Sequence, residues 1–245
     1  DEARWKQRLA GYYTEHGLDP AAPISAANRA PFDAAFCEVV EELKPEIVSF
    51  HFGLPEQALL RRVKAAGCLV ISSATTVKEA VWLEQHGADA VIAQGAEAGG
   101  HRGMFLTDKI AEQPGTFALV PQVADAVKVP VIAAGGIADG RGIAAAFALG
   151  ASGVQIGSAY LRCPESKVSA AGRAALAEGR DDSTVITNVM TGRPARGVQN
   201  RLMREAGPIS PDAPPFPHAA TALGPLKAAA EKQGSEKAAD RVPAG

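Results

Sequence analysis

Five short stretches of this 245-residue chain hold residue types that bind charge or move a proton. His51 lies at the end of an apolar run, residues 47–52. An imidazole there can protonate a bound group, hydrogen-bond to negative charge or abstract a proton, or else pack against a backbone carbonyl. Gln94 ends another apolar run and opens a glycine-rich loop, residues 95–103, where bare backbone can approach a ligand closely. Its amide offers a donor and an acceptor, to a ligand or to the loop itself. Within that loop, His101 and Arg102 suit an anionic substrate as well as a loop brace. The last two stretches are Gly135-Gly136 and Gly157-Ser158, each directly after an apolar run, with Gln155 and Ile156 leading into the second. Exposed backbone N–H groups and a helix N-terminus in adjacent loops favour an anion, so the two pairs read as a phosphate site. Flavin mononucleotide (FMN) and a sugar phosphate both fit, and glycines that only permit tight turns are the alternative.

These residues require a scaffold of strands alternating with helices. Apolar, β-branched runs predict strands at 47–52, 68–73, 88–93, 129–134 and 153–157. Between them, helical periodicity spans 56–66, 75–86, 115–127 and 141–149, with Thr75 or Thr76 and Asp139 as N-caps and Gly67, Gly87 and Gly150 as stops. The strands are nearly all apolar, the pattern of a parallel sheet covered on both faces. Residues 5–16 and 33–43 read as helices around a proline-containing loop at 19–31. Beyond residue 207 five prolines fall close together, before an alanine- and lysine-rich stretch. That shift divides the chain into an α/β portion at 1–207 and a proline-rich segment with a C-terminal helix and tail at 208–245.

Composition narrows the partners. With 25 basic and 27 acidic residues there is no electrostatic footprint for nucleic acid, and a small molecule is the better expectation. Cys37, Cys68 and Cys163 stand in none of the zinc spacings and read as reduced thiols of a cytoplasmic protein; no metal is expected. No segment is long and apolar enough to span a bilayer, so a soluble protein is expected. The sequence leaves the oligomeric state open.

The ordered set of segments at 48–53, 93–103, 134–142 and 155–158, with a further one at 190–197, resembles the nitronate monooxygenase family, formerly called 2-nitropropane dioxygenase. The resemblance implies an FMN enzyme on a TIM (β/α)8 barrel that oxidises alkyl nitronates with O2 to a carbonyl compound and nitrite or nitrate. Propionate 3-nitronate is the type of substrate, and detoxification the role. Carried over position by position, His51 is the active-site histidine, Gln94 and Gly99 contact the cofactor, and Gly135, Gly136, Gln155, Ile156, Gly157 and Ser158 hold its phosphate. His101 and Arg102 are candidate substrate contacts, and Gln155 is expected among barrel-interior groups. The five βα units correspond to strands four to eight of a barrel, so the chain reads as its C-terminal portion. The alternatives are a flavin-dependent enoyl-acyl-carrier-protein reductase, which usually carries Glu where this chain has Gln94, and a non-catalytic phosphate- or flavin-binding barrel.

Overall fold

The computed structural model describes residues 2–23 and 30–232. In chain order the elements are α1 (Glu2–Glu15), α2 (Ala34–Leu43), β1 (Ile47–Phe50), α3 (Gln57–Ala65), β2 (Leu69–Ala74), α4 (Val77–Gln85), β3 (Ala90–Gln94), β4 (Gly100–His101), α5 (Thr116–Ala126), β5 (Val131–Ala134), α6 (Gly140–Ala148), β6 (Gly153–Gln155), α7 (Ala170–Glu178), β7 (Thr184–Thr187), β8 (Ala195–Val198), α8 (Arg201–Glu205) and α9 (His218–Lys232). They form two compact units. Among the described residues, one comprises Ala30–Ala98 and Arg102–Ala159; the other comprises residues 2–23, Gly99–His101 and residues 160–232.

The first unit is an open parallel sheet in the order β1-β2-β3-β5-β6. Each expected strand is present within two residues of its expected ends. The helices form where side chains cap them: Asp33 accepts from the Phe36 N–H, Thr76 from the Glu79 N–H, and Asp139 from the N–H groups of Arg141 and Gly142. Ala74, Val91, Ala93, Val131 and Ala133 pack with Ala80 and Leu83 of α4, Leu119, Val120 and Val123 of α5 and Ala146 of α6. Val70 continues that face into a cluster with Cys37 of α2 and Leu60 and Val63 of α3. Every helix of the unit therefore covers one face of the sheet. That is the winding of a barrel wall, whereas a doubly wound sheet carries helices on both faces.

Continuous burial of every strand, expected from the apolar runs, holds only in the middle. β2, β3 and β5 are largely buried, whereas β1 and β6, with one strand neighbour each, are half-buried to exposed. On the helix-free face, Ile47 and Leu69 remain 51% and 54% exposed, so apolar content there marks a strand without marking core.

The second unit gathers the two ends of the described chain. Trp5, Leu9 and Tyr13 of α1 pack with Val189, Leu202, Met203 and, from α9, Ala219, Ala222, Leu223 and Leu226. The Trp5 indole donates to the Ala219 carbonyl at 3.2 Å and the Tyr13 hydroxyl to that of Ala222 at 2.7 Å. This core, with a three-stranded antiparallel sheet in the order β4-β8-β7, joins residues 160–207 to the proline-rich segment and α9. The compact units are thus not divided at residue 207, because α1, α8 and α9 share one apolar cluster. The end of the expected C-terminal tail, residues 233–245, and part of the 19–31 loop lie outside the described residues.

Candidate functional site

In parallel strands every C-terminal end points the same way, so the loops beyond those ends share one edge of the sheet. His51, Gln94, Gly135-Gly136 and Gln155 to Ser158 all occupy that edge in the first unit. Register also fixes their faces. Gln94 pairs with Ala134, and Ala134 with Gln155, which places both amides on the helix-free face with a methyl group between them.

His51 is held by the neighbouring strand. Phe50 is in register with Ser72, so His51 comes opposite Ser73, and its Nδ1 shares a 3.1 Å hydrogen bond with the Ser73 Oγ. Behind it the chain reverses through two left-handed residues, Phe52 at φ 69° and Gly53 at φ 93°. A bulky residue rarely adopts that conformation unless its surroundings impose it. The Ser72 hydroxyl does so by donating to the Gly53 carbonyl at 2.8 Å. Two serines near the end of β2 thus orient the histidine and its turn. Sequence reasoning missed them, although a polar pair late in an apolar strand is the same signal that marks Gln94.

Gln94 is buried, and its Oε1 accepts from the Gly103 N–H at 2.7 Å. A side chain on Gly103 would stand 2.8 Å from the Ser73 Cβ and 3.0 Å from the His51 Cε1. Gly103 is therefore where the loop closes onto the histidine, the serine and the amide together. With Oε1 on Gly103, the amide's polarity is set and Nε2 is its donor end.

Arg102 does not meet the expectation of a substrate contact. Its side chain is fully buried; the guanidinium donates to the carbonyls of Gln94 and Gly95 and, at 2.9 Å, to the Gln113 Oε1. It braces the loop from inside. His101 belongs to the second unit, where it pairs in β4 with Ala195 of β8, shares a 2.8 Å hydrogen bond with the Thr191 Oγ and lies edge-on to Phe216. Gly99 also falls in that unit.

Beside Gly135-Gly136 the N-termini of α5 and α6 are already capped by carboxylates, whereas α7, the α-helix that follows Gly157-Ser158 in the chain, is capped by the Ser169 hydroxyl. Glu97 accepts from the Thr116 N–H at 2.7 Å at the start of α5, and Asp139 caps α6. The Asp139 carboxyl is held down at about 2 by hydrogen bonds from Arg141 and from the N–H groups of Gly142 and Arg141. The N–H groups at the starts of α5 and α6 are thus partly taken up by the chain's own carboxylates. Gly135 needs its missing side chain, since φ is 114° and a Cβ would lie 2.8 Å from the Thr116 Oγ. Gly157 has no such reason, for a Cβ there meets nothing within 4 Å. Gln155, expected among interior groups, is exposed because β6 is the last strand of the open sheet.

A parallel α/β sheet with helices on one face, and its polar residues gathered beyond the strand ends, defines a protein of the barrel-wall type that binds ligands in those loops. The nitronate monooxygenase family model matches residues 3–241, and the chain belongs to that family. It is 42% identical over 235 residues to a nitronate monooxygenase of Paraburkholderia phytofirmans, covering 95% of this chain and 64% of that relative. It is also 42% identical to one of Pseudomonas aeruginosa, over 96% of this chain and 67% of the relative. The chain therefore spans about two thirds of the length of these relatives. Among solved structures, a nitroalkane oxidase from Streptomyces ansochromogenes superposes with a TM-score of 0.84 at 37% identity, covering 98% of this chain and 68% of that one. FabK from Thermotoga maritima gives 0.62 at 38% identity, covering 73% and 54%.

Proposed function

We propose that the protein carrying this chain oxidises alkyl nitronates of the propionate 3-nitronate type with O2, using FMN, and so removes a toxic metabolite. The observation that carries the reading is the linked set His51, Ser73, Gly103 and Gln94 at the strand-end edge of a chain 42% identical to proteins named nitronate monooxygenase.

The residues present fit FMN. Gly157 offers bare backbone with open space where a Cβ would be, Ser158 beside it is exposed, and Gly136 stands at φ 69° in the adjacent loop. These loops, with Gly135 and Ile156, suit a phosphate. The donor end of Gln94, together with the small Ala134 and the Gln155 amide on the same face, suits the acceptor-rich edge of a flat ring. When bound, FMN supplies the one-electron acceptor for the nitronate. His51, its ring fixed through Nδ1 by Ser73, hydrogen-bonds to the nitronate's anionic oxygens and holds the proton that balances their charge. The reaction belongs in the cytoplasm, where free thiols such as Cys37, Cys68 and Cys163 persist.

The test is oxygen uptake by the FMN-loaded full-length protein on addition of propionate 3-nitronate. Uptake with release of nitrite is expected. Bound flavin without uptake would overturn the reading, and oxidation of a nicotinamide cofactor in the absence of nitronate would point to a reductase instead.

A further inference from the structure

We infer that Glu79, Thr75 and Gln113 are positioning residues for the site proposed above: a path of hydrogen bonds, buried at its Glu79 and Arg102 ends and half-buried at Gln113, runs from the Glu79 carboxylate to the Arg102 guanidinium and sets the loop segment that presses Gly103 onto Gln94 and His51.

Glu79 lies in the first turn of α4 and is fully buried. Its Oε2 accepts from the Thr75 N–H and hydroxyl, both at 2.7 Å, and its Oε1 from the N–H groups of Phe105 at 2.6 Å and Leu106 at 3.0 Å. The Thr75 Oγ accepts in turn from the Gln113 Nε2 at 2.9 Å, and the Gln113 Oε1 accepts from the Arg102 Nε at 3.2 Å and Nη2 at 2.9 Å. Each donor on the path faces from the guanidinium side toward the carboxylate. The three links therefore polarise one another in the same sense. A single buried charge of either sign is costly, and here the two opposite charges are joined through one hydroxyl and one amide, with backbone groups completing their shells.

The path ties a rigid scaffold to a long loop. Thr75 directly succeeds β2, which pairs with strands on both edges, and Glu79 is on a helix anchored by Ala80 and Leu83 in the core. Arg102, Phe105, Leu106 and Gln113 lie on the long connection between β3 and α5, whose regular structure amounts to the two-residue β4 and one 3-10 turn at Ile110–Glu112. The path fastens that connection at both ends of its returning stretch. Gly103 is carried between Arg102 and Phe105, so its contacts with Gln94 and His51 depend on where the path places those two residues.

Thr75→Val in the FMN-loaded full-length protein removes the bridging hydroxyl with almost no change in volume. Amide hydrogen exchange over residues 102–106 is expected to quicken about tenfold while β2 and β3 keep their protection. The kcat with propionate 3-nitronate falls about tenfold, the FMN Kd changes by less than about twofold, and Thr75→Ser restores both exchange and kcat. Wild-type exchange over 102–106, faster exchange across the whole sheet, or no rescue by serine would each overturn the inference. Wild-type protein that takes up no oxygen would sink the proposed function instead, with the exchange data still deciding the role of the path.

Discussion

The loop after β3 and the loop after β6 leave the same edge of one sheet, yet their glycines answer to different neighbours. Beside Gly95, an added Cβ would sit 2.0 Å from the Thr116 Oγ and 2.3 Å from its backbone N, so the protein's own atoms already occupy the space. Beside Gly157, the space is open and the backbone needs no left-handed conformation. The first loop is a closed wall in which Arg102, Gln94, Gly103 and His51 brace one another. The second is an open rim whose bare backbone is explained by what it can receive. Positions of the first kind should govern folding and chemistry, and positions of the second kind ligand affinity alone.

The largest effect should come from Gly95→Ala. No flexible side-chain end can yield there, because the clash includes the Thr116 backbone at the start of α5. Overpacking against main chain should cost about 3 kcal/mol or more, read as a drop in Tm or in the urea midpoint. A variant as stable as the wild type would show that the wall can give way.

Next comes His51→Asn, which removes the imidazole but leaves a polar side chain opposite Ser73. Turnover of the nitronate should fall about a hundredfold or more, within the range of a lost general acid or base, while the yellow flavin absorbance stays. Unchanged turnover would make His51 a packing residue of the wall.

The wall and the rim also differ in how far they could be read from sequence. Strand runs, helix caps and the polar residues at strand ends are local signals, and the first unit was legible from them: Thr76 and Asp139 cap as expected, and His51 and Gln94 sit where their runs stop. Arg102 and Glu79 were not legible as buried groups. A charge in a loop or in a helix's first turn ordinarily faces solvent, and their partners, Gln113 and Phe105, lie 11 and 26 residues away. The antiparallel sheet of the second unit was missed for a related reason. β8 contains Arg196 and Gly197 and shows no apolar alternation, and its pairing with β4 joins residues more than ninety positions apart, which no local window contains.

A smaller effect is expected at the rim. Gly157→Ala should change stability by less than about 0.5 kcal/mol, since nothing lies within 4 Å of the new methyl group. It should weaken FMN about tenfold, by holding the phosphate off the backbone, with kcat of the loaded protein preserved. Together with His51→Asn this forms a crossed pair, one variant losing turnover with flavin kept and the other losing flavin with turnover kept. If both lost the same property, wall and rim would not be functionally distinct.

The smallest effect belongs to Asp139→Asn, beside the rim at the start of α6. Asparagine still caps the helix, so only the charge and its pairing with the exposed Arg141 are lost. Asp139 titrates at about 2 in the folded chain against 3.8 ordinarily, which means the folded state binds its proton less readily than the unfolded chain. Its charge therefore stabilises the fold above the ordinary value, and that contribution fades as the pH falls from about 4 toward 2. The wild-type urea midpoint should exceed that of the variant slightly at neutral pH, and the gap should close over that acid window and shrink in high salt. A gap that persisted unchanged into acid would assign the difference to the shape of the cap, and the rim would then owe nothing to the Asp139 charge.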